Sequence, residues 1–241
     1  IASSIMSKKI ASGANKIVID VTVGKGAFMK NKEDAQKLAE QMIRIGKLAG
    51  REVRCVLTPM DEPLGYSIGN SLEVIEAINF LKGDMPKDLK NVVLELGANM
   101  LQLAGKGENI EENKLKILEN IENESAYNKF VEMVKNQGGD ISFVEDTTKF
   151  KKSKYTLAVV TKKTGKVTEI NAEDIGKLAC YLGAGRVNKD DKIEPDVGIV
   201  LNKKVGDEVI EDDFLAYICA NDEYKLMEAE KRILEIYKIE N

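Results

Sequence analysis

The sequence predicts an α/β protein in two parts: a parallel-sheet half of alternating strands and helices, then an α+β half of short strands. Three observations carry this. Ile17 to Val23 is a β-branched run, apolar except at Asp20 and Thr22 and ending at Gly24, the pattern of a strand covered on both faces. A helical repeat and a second such run, Val53 to Thr58, follow it directly. Beyond residue 150 the helical spacing gives way to short β-rich runs. A length of 241 residues also exceeds the usual single-domain size of about 100 to 150, so two domains are expected.

Each element has its own signal. Asn31 caps the helix after the first strand, and Ala35, Leu38, Ala39, Met42 and Ile45 share one face until Gly50 ends it. Strand, helix and parallel strand make a crossover unit, which puts the glycine loop after Val23 at the carboxyl edge of the sheet, where ligands sit. Asn70 or Ser71 caps a helix to Leu81, Pro86 precedes one running to about Ala104, and Ile110 to Ile121 forms a third. Ser125 opens a fourth, with Tyr127, Phe130, Val131 and Val134, closed by Gly138 and Gly139. The lysine-rich stretch 140–154 has little periodicity, and the domain boundary falls there, separating 15–150 from 151–241. In the second half, Tyr155 to Val160 and Lys166 to Ile170 flank a turn at Thr164-Gly165. Ala172 to Leu182 is a helix closed by Gly183, and Gly198 to Lys203 and Phe214 to Cys219 are strands. Asp222 caps a terminal helix that carries Leu226, Ile233, Leu234 and Tyr237 on one face.

Composition removes several function classes. Lys+Arg 36 against Asp+Glu 40 leaves a net charge of -4, without the concentrated positive charge that a phosphate backbone requires, so nucleic acid is not an expected partner. No run approaches the roughly 18 consecutive apolar residues of a membrane span. Cys55, Cys180 and Cys219 are odd in number, widely spaced and set in apolar runs, which predicts buried thiols in a reducing compartment and no zinc site. Histidine is absent. The commonest general base and the Ser-His nucleophile pair are therefore excluded from this chain, leaving carboxylate, Lys or Tyr. Paired acids such as Glu111-Glu112 and Asp212-Asp213 read as solvated faces.

Three segments carry candidate chemistry. Ser4 and Lys8 are four apart, so on a helix both lie on one face about one turn apart and can grip one ligand; the alternative is a plain surface serine and lysine. The loop Gly24-Lys25-Gly26-Ala27-Phe28 matches neither the Walker spacing nor the Rossmann fingerprint, and reads better as a strand-to-helix turn that needs glycine. Glu76 stands between Leu72 and Phe80, one helical turn on either side, so its carboxylate follows an apolar stripe and needs compensation or an escape to the surface.

Five segments, in order and over nearly the whole chain, resemble the pyrimidine-nucleoside phosphorylase family, which includes thymidine phosphorylase. They are IASSIMSKK from Ile1, IVIDVTVGKGAFMK from Ile17, DEPLGYSIGNSLEVIEAI from Asp61, LGAGR from Leu182 and VGIVLNKKVGDEV from Val197. The resemblance implies reversible phosphorolysis of uridine- or thymidine-type nucleosides to free base and pentose 1-phosphate, with nucleoside and phosphate as substrates. It assigns Ser4 and Lys8 to the carbonyl and N3 edge of the pyrimidine, with Lys8 as catalytic charge stabiliser, and Phe28 to an apolar wall beside the base. It assigns Glu76, with the backbone carbonyls of Leu64 and Ser67, to a monovalent cation such as potassium, and implies no organic cofactor. It further implies a barrel-sandwich hybrid domain over 151–241, a remnant of a helical domain over 1–14, a homodimer when intact, and a cytoplasmic enzyme. In the family the phosphate-binding glycine loop and the base-binding arginine precede the segment matching Ile1. The chain is thus expected to be the back part of an enzyme and inactive alone. Two departures weaken a direct role for the first loop: Thr22 stands where relatives commonly carry Lys, and Lys25 where they carry a small residue. A related phosphoribosyltransferase is one alternative. A lipoyl- or biotinyl-like carrier is another, because Val205 to Val209 resembles the carrier turn, although no apolar-Lys-apolar tip accompanies it.

Overall fold

A computed structural model describes residues 1–240. The first half opens with α1 (Ala2–Ala11), β1 (Lys16–Val23), α2 (Lys32–Leu48) and β2 (Glu52–Pro59). The two strands pair in parallel, with Lys16 opposite Glu52 and Val23 opposite Pro59. Asn31 caps α2 as expected, its side-chain oxygen accepting from the Asp34 N–H at 2.9 Å. Alternation along β1 sends Ile17, Ile19 and Val21 into one core with Ala35, Ala39 and Met42 of α2 and Ala2 and Met6 of α1.

Next come β3 (Ser67–Ile68), α3 (Asn70–Leu81), α4 (Lys87–Leu103), α5 (Ile110–Glu122), α6 (Ser125–Asn136) and the single turn α7 (Ser142–Glu145). The cap of α3 differs from expectation. Gly69, at φ 147°, is the capping residue, and the Asn70 side chain instead donates to the Ala184 carbonyl at 2.8 Å. Residues 140–154 hold more order than their polarity predicts: α7 and a 3-10 turn over Thr147–Lys149 enclose the buried Val144.

The second half contains β4 (Tyr155–Val160), β5 (Gly165–Ile170), α8 (Ala172–Ala179), β6 (Gly198–Leu201), β7 (Glu208–Val209), β8 (Phe214–Ala220), α9 (Glu223–Ile236) and β9 (Tyr237–Glu240). Its strands form two antiparallel sheets, in the orders β3-β6-β8-β4 and β7-β5-β9. β4 and β5 flank a turn but belong to different sheets, so they are not a hairpin. Val159, Val167, Ile199, Ile218 and Ile233 from both sheets and α9 share one core. Two residues of the expected terminal stripe move elsewhere: Leu234 is exposed, and Tyr237 opens β9 with its hydroxyl within 2.9 and 3.0 Å of the Lys203 and Leu215 carbonyls.

The whole is a mixed α/β structure with parallel and antiparallel sheets. All three cysteines are free and half-buried rather than fully buried. Burial alone pushes the Cys55 thiol up to about 11. Among the described residues no helix is long and apolar enough to cross a membrane.

Candidate functional site

Because β1 and β2 run in parallel, the loops after Val23 and after Pro59 leave the same edge of the sheet. They are tied there. Gly26 N–H donates to the Met60 carbonyl at 2.8 Å, and Lys25 N–H to the Asp61 carboxylate at 3.0 Å. Gly24, at φ 135°, has no room for a side chain, since a Cβ would lie 2.7 Å from the Asp61 backbone nitrogen. The turn reading of this loop is thus correct as far as its glycines go. The Lys25 ammonium reaches away from it and pairs with Glu169 of β5 at 2.6 Å.

On α1, burial of Ala2 and Met6 turns the opposite face, with Ser4 and Lys8, to solvent. Among the described residues no carboxylate pairs with Lys8 or Lys9. Phe28 is 75% exposed and lines a cavity of about 420 Å³ with Ile1, Ala2, Asp34, Lys37 and Gln41. It stands beside the first turn of α1, whereas Ser4 and Lys8 do not line that cavity.

Leu64, Ser67 and Glu76 converge. All three line one cavity of about 380 Å³ between the loop 60–69, α3 and α8. Glu76 Oε1 accepts the N–H groups of Tyr66 and Ser67 at 2.8 and 3.2 Å. Gly65, at φ 70°, lets the loop close on this carboxylate, because a Cβ there would fall 2.3 Å from Oε2. Burial raises the Glu76 carboxyl above its usual range, the two N–H donors offset that only in part, and Asp88 and Glu73 raise it further.

The other side of the loop is held by a group the sequence did not single out. Lys204, 9% exposed, donates to the Pro63 and Gly65 carbonyls and pairs with Asp88 at 3.0 Å and Glu62 at 3.5 Å. Asp88 in turn accepts the Gly65 N–H at 3.0 Å. Burial raises the Asp88 carboxyl, but the Lys204 ammonium and the N–H groups of Leu89 and Gly65 outweigh it and hold Asp88 below the usual carboxylate range. The only sequence signal was a lysine inside the β-rich run VGIVLNKKV.

A further cleft of about 660 Å³ lies between β2, α4 and β5, lined by Asp61, Glu62, Asp88, Glu95 and Glu169 among others. Lys25 lines it too, and four of these five carboxylates are ion-paired: Glu62 and Asp88 with Lys204, Glu95 with Lys114 and Glu169 with Lys25.

Two family models match the chain. Residues 2–127 match the model of the glycosyl transferase family a/b domain, and residues 166–240 that of the pyrimidine nucleoside phosphorylase C-terminal domain. The chain belongs to the pyrimidine-nucleoside phosphorylase family. It is 50% identical over 223 residues to the pyrimidine-nucleoside phosphorylase of Bacillus subtilis (strain 168), covering 92% of this chain and 52% of that one. It is 49% identical over 221 residues to that of Staphylococcus aureus (strain bovine RF122 / ET3-1), covering 92% of this chain and 51% of the relative. The chain therefore spans about half the length of the curated relatives it matches. In a member of the pyrimidine-nucleoside phosphorylase family, the exposed pair on α1 and the cavity at Glu76 are the two places where the candidate residues gather.

Proposed function

We propose that this chain is part of an enzyme that cleaves pyrimidine nucleosides with phosphate, a pentosyl transfer giving free base and pentose 1-phosphate. One observation carries the placement of the chemistry: Ser4 and Lys8 stand one turn apart on the open face of α1, with no carboxylate of the described residues to neutralise the ammonium. A phosphate oxygen forms a bond to the anomeric carbon as the bond to the base nitrogen breaks, and the electron pair leaves with the base. Lys8 stabilises the charge that develops on the pyrimidine, Ser4 donates to its edge, and the departing base takes up a proton. An ammonium fixed at that position favours the transition state over the ground state. Phe28 is the apolar wall beside the base, reached from the loop that follows β1.

The proposal includes a monovalent cation, potassium by preference, held by the Glu76 carboxylate and the Leu64 and Ser67 carbonyls. The ladder geometry supports it. Tyr66 accepts from Leu201 N–H at 2.7 Å, so the next residue, Ser67, turns its N–H and C=O away from β6 and toward Glu76. A carboxylate joined by those two carbonyl oxygens would be a hard site that suits an alkali ion. The antiparallel sheets around one core support reading 151–241 as a barrel-sandwich hybrid, and three unpaired cysteines support a cytoplasmic location. A homodimer is proposed on the family resemblance alone. The carrier alternative loses support, since Lys204, the lysine that adjoins the turn Val205 to Val209, is buried and ion-paired rather than displayed at a tip.

The test compares adjacent lysines in the full-length enzyme with uridine and phosphate. Lys8→Ala should lower kcat/KM at least about tenfold, equivalent to about 1.4 kcal/mol of transition-state stabilisation, while Lys9→Ala should do far less. The two residues point about 100° apart on a helix. Equal loss in both, at unchanged melting temperature, removes the assignment of Lys8 and of Ser4 with it.

A further inference from the structure

Lysine is among the residues least often buried, and one is buried only where its charge is answered. Lys204 meets four oxygens on the segment 62–65 and at the start of α4: the carbonyls of Pro63 and Gly65, Asp88 Oδ2 and Glu62 Oε2. The Tyr66 ring lies 5.9 Å away. Glu62 also accepts the Val205 N–H at 3.0 Å, and Asp207 accepts the Lys204 N–H at 2.7 Å, so the backbone on either side of the lysine is anchored too. Two carbonyls and two carboxylates form the oxygen set that hard cations take. Here the cation arrives on a side chain.

We propose that the Lys204 ammonium is a tethered cation: it fills an oxygen cradle in the loop 62–66 and, as a positioning residue, holds that loop against Glu76. The consequence for an alkali ion at Leu64, Ser67 and Glu76 rests on the cation reading above, but the filling of the cradle does not. Glu76 holds the loop from one side through the N–H groups of Tyr66 and Ser67; Lys204 holds it from the other through the carbonyls of Pro63 and Gly65. The second-half domain thereby fixes a loop of the first. Removing the ammonium leaves Glu62 and Asp88 facing each other across two lone carbonyls, and like charges so placed drive the loop open.

The test is chemical rescue. Lys204→Ala removes a group equivalent to propylammonium, so n-propylammonium chloride should return at least half of the melting-temperature loss of the variant. Tetramethylammonium chloride at equal ionic strength should return little, and wild type should respond to neither. Equal responses to both salts, or no loss on substitution, would overturn the proposal. A wild-type measurement guards against a variant that does not fold: brief acetylation read by mass spectrometry should modify Lys204 at least about tenfold more slowly than the exposed Lys32, and equal rates overturn the proposal. In the full-length enzyme, Lys204→Ala should also raise the potassium concentration giving half-maximal activity. A wild type indifferent to potassium removes the alkali-ion reading, while the propylammonium result still decides the role of Lys204.

Discussion

Both oxygens of Glu76 face the backbone of the loop that leads into its own helix, and this is why Gly65 is glycine. Two penalties meet there, a positive φ and the carboxylate, and they are separable. Gly50 has nearly the same φ, 69° against 70°, with open space where a Cβ would go. Gly50→Ala should therefore show the conformational penalty alone, about 1–2 kcal/mol. Gly65→Ala should lose more, by a further amount of about 1–3 kcal/mol for displacing a half-buried carboxylate. Denaturant titration of both variants checks this, and equal losses would mean that Glu76 moves aside freely. At this scale the sequence was informative where the signal was local. Leu72 and Phe80 on either side of Glu76 made it anomalous on its own helix. Lys204 carried no such mark, because its partners at Pro63 and Gly65 lie 141 and 139 residues earlier in the chain.

Among the elements, the longest and most periodic were legible and the shortest were not. α2, α4, α5 and α6 and both parallel strands occur where apolar spacing and caps place them. β3 and β7 are two residues each, too short for any alternation to show, and exist because a longer strand offers them a free edge. Spacing also could not say that β4 and β5 join different sheets, since partner choice is a tertiary matter. Close packing of α2 on β2 hangs on Gly46, where a Cβ would lie 2.1 Å from Val53 Cγ2. Helix propensity alone favours Gly46→Ala by about 1 kcal/mol. Valine is stiff, however, and the overlap forces helix and strand apart, so the net effect should be destabilising by about 1–3 kcal/mol. Val53→Ala makes room: the double variant should be more stable than the sum of the two single losses. A purely additive double-mutant cycle, read by thermal or chemical melts, would show that the helix shifts without resistance from Val53.

The two halves of the molecule are joined by contacts of unequal worth. Lys25–Glu169 and Lys30–Glu173 cross the joint on its exposed rim, where ion pairs contribute little and salt screens them. The interior contacts are of another kind: the pairing of β3 with β6, the Ala172 N–H to the Asp61 carbonyl at 3.0 Å, and the Lys204 cluster. Ser67 and Ile68 belong by sequence to the first half, yet they form an edge of the second half's sheet. Neither half can then unfold without leaving the other with an unpaired strand or a buried unpaired charge. The chain should accordingly melt in one calorimetric transition, with van't Hoff and calorimetric enthalpies in agreement. Added sodium chloride should move that transition little, because the rim pairs it screens are not what couples the halves. The Asp88 carboxyl adds a sign that can be checked. Its folded pKa lies below its unfolded value, so its contribution is complete above the unfolded pKa of about 3.9 and disappears as the pH falls through the folded one. Acid titration of wild type against Asp88→Asn should show the two stability curves converging in that window and parallel above it. Two resolved transitions at neutral pH would instead mean that the joint is a passive contact and that Lys204 stabilises only its own loop.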